Sequence, residues 1–163
     1  MDGPIALSQR PRLPDDEEFL FRLYAGTRAE ELAAWGWPPA QQESFLRMQL
    51  RARAQSYAAT YSGASHSILL QGDLPVGSAI VWRGPTEFRL VDIAILPEFR
   101  NRGWGGQWIS GLISEAAAAR IPVRLSVQRG NPAMRLYQRL GFVPAEAGPM
   151  YIEMEHKPLG TES

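Results

Sequence analysis

The chain contains no cysteine. That excludes disulfides, a cysteine nucleophile and thiolate metal sites. It fits a reducing compartment, so a cytoplasmic location is expected. Histidine is scarce: His66 and His156 are the only two. They lie far apart in sequence, in no ligand-spaced pattern, so no metal site is expected. Neither sign of charge is in excess, with 17 Lys and Arg against 17 Asp and Glu. A neutral chain is not a general binder of nucleic acid or membrane, and any anion site must be local. No apolar run reaches the roughly 18 residues of a membrane-spanning helix. The opening residues, MDGPIALSQRPRLPDD, lack a basic region followed by a long apolar run, so a secretory signal is not expected. There is no internal repeat and no long low-complexity tract.

What is present suits one domain, 1–163. Its 163 residues, 45% hydrophobic and 21% charged, are enough to build a core. PIALSQR reads as a short first strand. The helix DDEEFLFRLYAGTRAEELAAW follows, with Asp15 or Asp16 as its cap and Phe19, Leu20, Leu23, Tyr24 and Leu32 at helical spacing. GWPP breaks it, and AQQESFLRMQLRARAQSYAATY is a second helix with Phe45, Leu46, Leu50 and Ala54 on one side. SHSILLQ and PVGSAIVWR are strands joined by a turn, and the more apolar FRLVDIAIL is a third, central strand. A helix from about Gly103 to Arg120 carries an apolar face of Trp104, Trp108, Leu112 and Ala116, flanked by Ile109 and Ile113. Next come the strand VRLSV, the short helix NPAMRLYQRLGF and the closing β segment GPMYIEMEHK. The short helix has Asn131 as N-cap, Pro132 at its first position and Gly141 just past its end. This order, β-α-α-β-β-β-α-β-α-β-β, implies an α/β (α+β) fold with a mixed sheet and helices on both faces.

The stretch LPEFRNRGWGGQWI joins the central strand to the third helix. The first amides of a helix have no internal partner, and its dipole adds partial positive charge there. Glycines let a ligand approach the backbone, and Arg100 and Arg102 add charges suited to phosphate oxygens. The loop therefore reads as a phosphate site. A P-loop is excluded, because no Gly-Lys-Ser/Thr follows. A dinucleotide fingerprint is excluded, because Trp108 stands where its third glycine belongs. Arg-x-x-Gly-x-Gly remains, matched by Arg100, Gly103 and Gly105. The bare alternative is a glycine-rich turn with solvated arginines.

That pattern resembles the acyl-CoA loop of the GCN5-related N-acetyltransferase (GNAT) family. VDIAILPEFRNRGWGG is similar to the family's fourth strand, proline turn and diphosphate loop, and NPAMRLYQRLGF to its closing helix. The specific part of the resemblance runs from Leu90 to Phe142, and the leading helices and final hairpin agree in kind. It implies a mostly antiparallel central sheet of six to seven strands. It also implies acetyl-CoA as co-substrate, with no metal, and a primary amine on a small molecule or peptide as acceptor. A homodimer is left open.

Carried over residue by residue, the resemblance puts Ile93, Ala94 and Ile95 along pantetheine by their backbone, their side chains being core. It wraps Asn101, Arg102, Gly103, Trp104, Gly105 and Gly106 around the diphosphate, with Arg100 and Arg102 as phosphate partners. Tyr137 matches the family's tyrosine near the departing thiolate, where a phenol can protonate sulfur. On spacing alone Tyr137 reads equally as core, in a stripe with Ala133, Leu136 and Leu140. Asn131 lies six residues before Tyr137 where the common pattern has seven, so it contacts the cofactor or merely caps its helix. Asp92 is the candidate general base, directly or through water; a solvated or capping carboxylate is the other reading. The resemblance builds the acceptor pocket from TRAEELAAWGWPP and MYIEMEHK, where Glu30, Glu31, Trp35 and Trp37 are candidates. Two rivals to an N-acetyltransferase are a non-catalytic acyl-CoA sensor and a transferase with another acyl donor or acceptor. Tyr137 favours an enzyme.

Overall fold

In the computed structural model, which describes residues 7–158, the strands are β1 (Ser8–Pro11), β2 (Ser65–Gln71), β3 (Leu74–Arg83), β4 (Phe88–Ile95), β5 (Val123–Gln128), β6 (Val143–Ala147) and β7 (Tyr151–His156). The helices are α1 (Glu17–Trp35), α2 (Pro39–Thr60), α3 (Trp104–Ala118) and α4 (Ala133–Arg139). The strands form one sheet in the order β1-β2-β3-β4-β5-β7-β6, so β4 is central. Pairing of β4 with β5 is parallel; that of β1 with β2, β5 with β7 and β6 with β7 is antiparallel. The expected first strand begins at residue 4, but its opening residues lie outside the described ones; the observed strand starts at Ser8.

The chain divides into two compact units. One comprises the residues up to Ile80 together with Asp92–Arg102, and buries Leu23, Leu32, Leu46, Ile68, Leu69, Val76 and Leu96. The α1 stripe is thus narrower than its periodicity suggests, since only Leu23 and Leu32 are fully covered. Gly36, at φ 68°, closes α1 in the left-handed conformation that glycine tolerates best. The other unit comprises Val81–Val91 and the chain from Gly103 onward. Its core gathers Ile109, Leu112 and Ala116 of α3 with Val123, Leu125 and Val127 of β5, plus Phe142 and Met154. The buried face of α3 centres on Ile109 rather than Trp108, which is half-buried.

Asp16 sits at the N-cap position of α1, yet its carboxylate turns back. It accepts from the Leu13 amide at 2.7 Å and from two guanidinium N–H groups of Arg10, each at 2.8 Å. The Arg10 hydrogen bonds, helped by the Leu13 amide, outweigh burial and hold the carboxyl at about 2. Because the folded value lies below the ordinary one, the stabilisation is complete above about pH 4 and is lost as pH falls towards 2. Asp16→Ala is therefore expected to cost about 1–3 kcal/mol at neutral pH. Denaturant titrations should show that gap closing between pH 4 and 2. A gap unchanged at pH 2 would assign the effect to packing instead.

Candidate functional site

β4 passes through both units. At its start it pairs with β5 through Phe88↔Val123 and Arg89↔Arg124. Asp92, Ile93, Ala94 and Ile95 follow in the other unit, packed closely on β3. A Cβ added to Gly77 of β3 would lie 2.4 Å from the Ala94 carbonyl oxygen. The Leu96 amide donates to the Val76 carbonyl at 2.8 Å. Ile93, Ala94 and Ile95 are half-buried, not core as expected from the sequence. Gly77→Ala must push β4 backbone aside, since a carbonyl in a strand cannot swing away as a side-chain tip can. An expected loss of about 1–3 kcal/mol in equilibrium unfolding follows, and wild-type stability would show that the strands separate freely.

Beyond β4, Leu96 is buried and Pro97–Phe99 form a 3-10 turn. Arg100 is extended, Asn101 adopts φ 64° and Gly103 φ 78°. Asparagine is among the few non-glycine residues that accept the left-handed region at little cost. Nothing lies within 4 Å of where a Gly103 Cβ would be, so glycine is needed there for its φ and leaves space above the backbone. The Arg100 Nε donates to the Ile95 carbonyl at 3.0 Å, leaving its terminal nitrogens to point elsewhere. The Arg102 guanidinium lies 5.3 Å from the centre of the Phe99 ring. Both arginines are exposed.

α3 begins at Trp104, whose side chain is buried. The first intrahelical bond runs from the Gln107 amide to the Gly103 carbonyl, at 3.0 Å. The amides of Gly105 and Gly106 therefore precede the internal ladder, and among the described residues no backbone carbonyl takes them. A Cβ on Gly106 would meet the Leu136 Cδ1 at 3.2 Å, so α4 packs on this helix end because the residue there is glycine.

Tyr137 follows Leu136 on α4, in the same unit as α3. Tyr137 is half-buried, its ring 5.9 Å from Phe142, and its carbonyl accepts from the Phe142 amide at 3.0 Å. Phe142 in turn meets the His156 ring at 5.5 Å. Asn131 caps α4 with its side chain, as expected. Its Oδ1 accepts from the Ala133 amide at 2.9 Å, and Pro132 between them already has helical φ −57° and ψ −25°. Gly141 follows the Leu140 cap at φ 101°, as the sequence implies.

In the other unit, Asp92 is half-buried and ion-paired. Its Oδ2 lies 2.6 Å from the Arg53 Nη2 of α2. Burial pushes the Asp92 carboxyl up, and the Arg53 charge opposes that without cancelling it. Arg53 escaped the sequence reading, which took Ala54 as part of the buried stripe; Ala54 is exposed and Arg53 turns inward. Glu31 is held by Arg28 at 2.7 Å. Trp35 and Trp37 pack on each other at 5.2 Å and on Phe45, so they close the α1–α2 link. Among the described residues no group of three or more His, Asp or Glu side chains stands close enough to hold a metal ion, and no helix is long and apolar enough to cross a membrane.

A mixed, mostly antiparallel sheet whose central strand feeds a glycine-rich turn and a helix start with amides unpaired among the described residues defines the α/β class of this protein. The sequence of residues 62–144, just over half of the chain, matches the model of the acetyltransferase (GNAT) domain. The chain belongs to the GNAT acetyltransferase family. The match contains Asp92, the whole loop, Asn131 and Tyr137.

Solved structures share the fold at low identity. The PaiA N-acetyltransferase from Thermoplasma acidophilum, in complex with coenzyme A, superposes with a TM-score of 0.70 at 16% identity, covering 93% of this chain and 99% of that one. The ribosomal-protein-S18-alanine N-acetyltransferase from Escherichia coli gives 0.64 at 19% identity over 96% and 97% of the two chains. Ard1 from Thermoplasma volcanium gives 0.65 at 21% identity over 95% and 99%. Among curated proteins no match to the sequence is found.

Proposed function

We propose that this protein transfers an acetyl group from acetyl-CoA to a primary amine by direct attack, without a covalent acyl-enzyme. The observation that carries the reading is the segment Arg100–Gly106. Two left-handed residues turn it into a helix whose Gly105 and Gly106 amides have no backbone acceptor among the described residues. Membership of the acetyltransferase family and the fold shared with a coenzyme A complex support it.

The amides of the Asn101–Gly106 stretch take the diphosphate, with Arg100 and Arg102 adding charge. Trp104 contributes backbone only, its side chain being buried. Ile93, Ala94 and Ile95 run along pantetheine, although Arg100 already occupies the Ile95 carbonyl. Asn131 serves α4 first, because its side-chain oxygen is engaged.

In the transfer, the acceptor ammonium gives a proton to Asp92, directly or through water. The neutral nitrogen attacks the thioester carbonyl, a C–N bond forms and the C–S bond breaks. Tyr137 donates its phenolic proton to the leaving sulfur. The phenolate regains a proton through solvent from the nitrogen that becomes the amide. Net products are the N-acetylated amine, CoA thiol and one proton.

The test is a panel of primary amines with acetyl-CoA, read by release of free thiol and by mass of the product. Acetylation of at least one acceptor class well above the hydrolysis background is expected. Binding of acetyl-CoA with no acceptor turned over would favour a sensor of the same fold.

A further inference from the structure

The half-buried polar cluster around Asp92 holds more than a base needs. Arg53 reaches Asp92 from α2 at 2.6 Å. Its guanidinium lies near two rings, 5.1 Å from the centre of Tyr24 on α1 and 5.3 Å from that of Tyr57 on α2. Aromatic faces hold a cation in place, and the Tyr57 hydroxyl engages one of its N–H groups. Arg53 has five such groups in a planar fork, and Asp92 is its one carboxylate among the described residues. The neighbouring Arg28 differs, being spent on Glu31 at 2.7 Å, the Tyr24 hydroxyl at 3.1 Å and Gln49. The Arg53–Asp92 pair is also not sealed, since the side chains keep 30% and 24% of their exposure.

We propose that Arg53 determines acceptor specificity and that the acceptor is a free α-amino acid, its α-carboxylate taken by Arg53 and its α-ammonium by Asp92. This rests on the reading that Asp92 receives the acceptor's amine. An α-amino acid carries an anion and a cation one carbon apart. The Arg53–Asp92 pair presents the opposite charges side by side. Entry of the zwitterion exchanges one internal ion pair for two with the ligand, so neither half-buried charge is left bare. The flat guanidinium fork suits a carboxylate in two-pronged contact, which the round lysine ammonium cannot match. A site built to bind a polar group strongly rejects the analogue lacking it. Peptide N-termini, whose first carboxyl is an amide, are accordingly poor acceptors.

The experiment compares kcat/KM for matched acceptors with acetyl-CoA: L-alanine, L-alaninamide and ethylamine, then L-phenylalanine, L-phenylalaninamide and phenethylamine. In parallel, each of the twenty amino acids is tested for raising the melting temperature of the CoA-bound protein. The amides have the more acidic ammonium groups and so the more available amine, which sets intrinsic reactivity against the proposal. At least one free amino acid should be preferred over its amide by about tenfold or more, as a charge-assisted contact is worth. In Arg53→Gln that ratio should fall to within about threefold of one, and the amino-acid melting shift should vanish. Arg53→Lys, which keeps the charge without the fork, should lie between and serves if the glutamine variant does not fold.

Amides or simple amines acetylated as well as the acids would overturn the proposal and leave the acetyltransferase reading standing. A shift by an amino acid in wild type alone, with no acceptor acetylated, would support carboxylate recognition and sink the transfer step. No amino acid either bound or acetylated would overturn the proposal.

Discussion

Tyr137→Phe is expected to lower turnover by about 10²–10⁴ while leaving CoA affinity nearly unchanged. The ring keeps its edge contact with Phe142, and α4 keeps its Leu136 contact on Gly106, so packing is largely preserved. On the proposed mechanism, what is lost is the proton for the departing sulfur. A transition-state proton donor affects turnover rather than ground-state binding, which is why the split between kcat and KM is the reading to make. If Tyr137 were only packing, the substitution would alter stability slightly and turnover hardly at all. Full turnover in the variant would transfer the acid role to water or another group. The measurement uses whichever amine the acceptor panel identifies.

The second large effect belongs to the loop. Arg100→Glu combined with Arg102→Glu should raise the dissociation constant for CoA by at least about a hundredfold, through two lost charge-assisted contacts and new repulsion. Both side chains are exposed and neither joins the core, so the variant should fold and melt near wild type without ligand. Isothermal titration on wild type and variant decides it. Equal affinity would move the diphosphate off this loop.

The parts of this fold that local pattern controls were legible in the sequence. β2, β3, β4 and β5 lie within a residue or so of where alternation places them, and Gly36, Gly103 and Gly141 stand at turns that need φ above zero. The strand–loop–helix segment could be read because its chemistry is consecutive in the chain. Long-range contacts were not legible. Arg53 lies far from Asp92 in sequence, and helical periodicity offers no reason to turn an arginine inward beside Ala54. The half-buried state of Ile93–Ile95 was missed for a related reason. An apolar run reads as core, and only the close approach of Gly77 to Ala94 shows how that part of β4 is held. Asn101 at φ 64° carries no composition signal beyond being asparagine. At Asn131 both residue type and position were informative, since its side chain accepts from the Ala133 amide while Pro132 already has helical φ and ψ.

The central claim is that the Arg100–Gly106 loop holds the diphosphate of CoA, and thermal unfolding of the wild-type chain with CoA or acetyl-CoA tests it most directly. A ligand that binds only the folded state stabilises it by about 2.7 kcal/mol at a hundredfold excess over its dissociation constant, which for a chain of this size raises the melting temperature by roughly 5–10 °C. A rise of that order, absent in Arg100→Glu/Arg102→Glu, is expected. No rise in wild type at millimolar CoA or acetyl-CoA would contradict the claim.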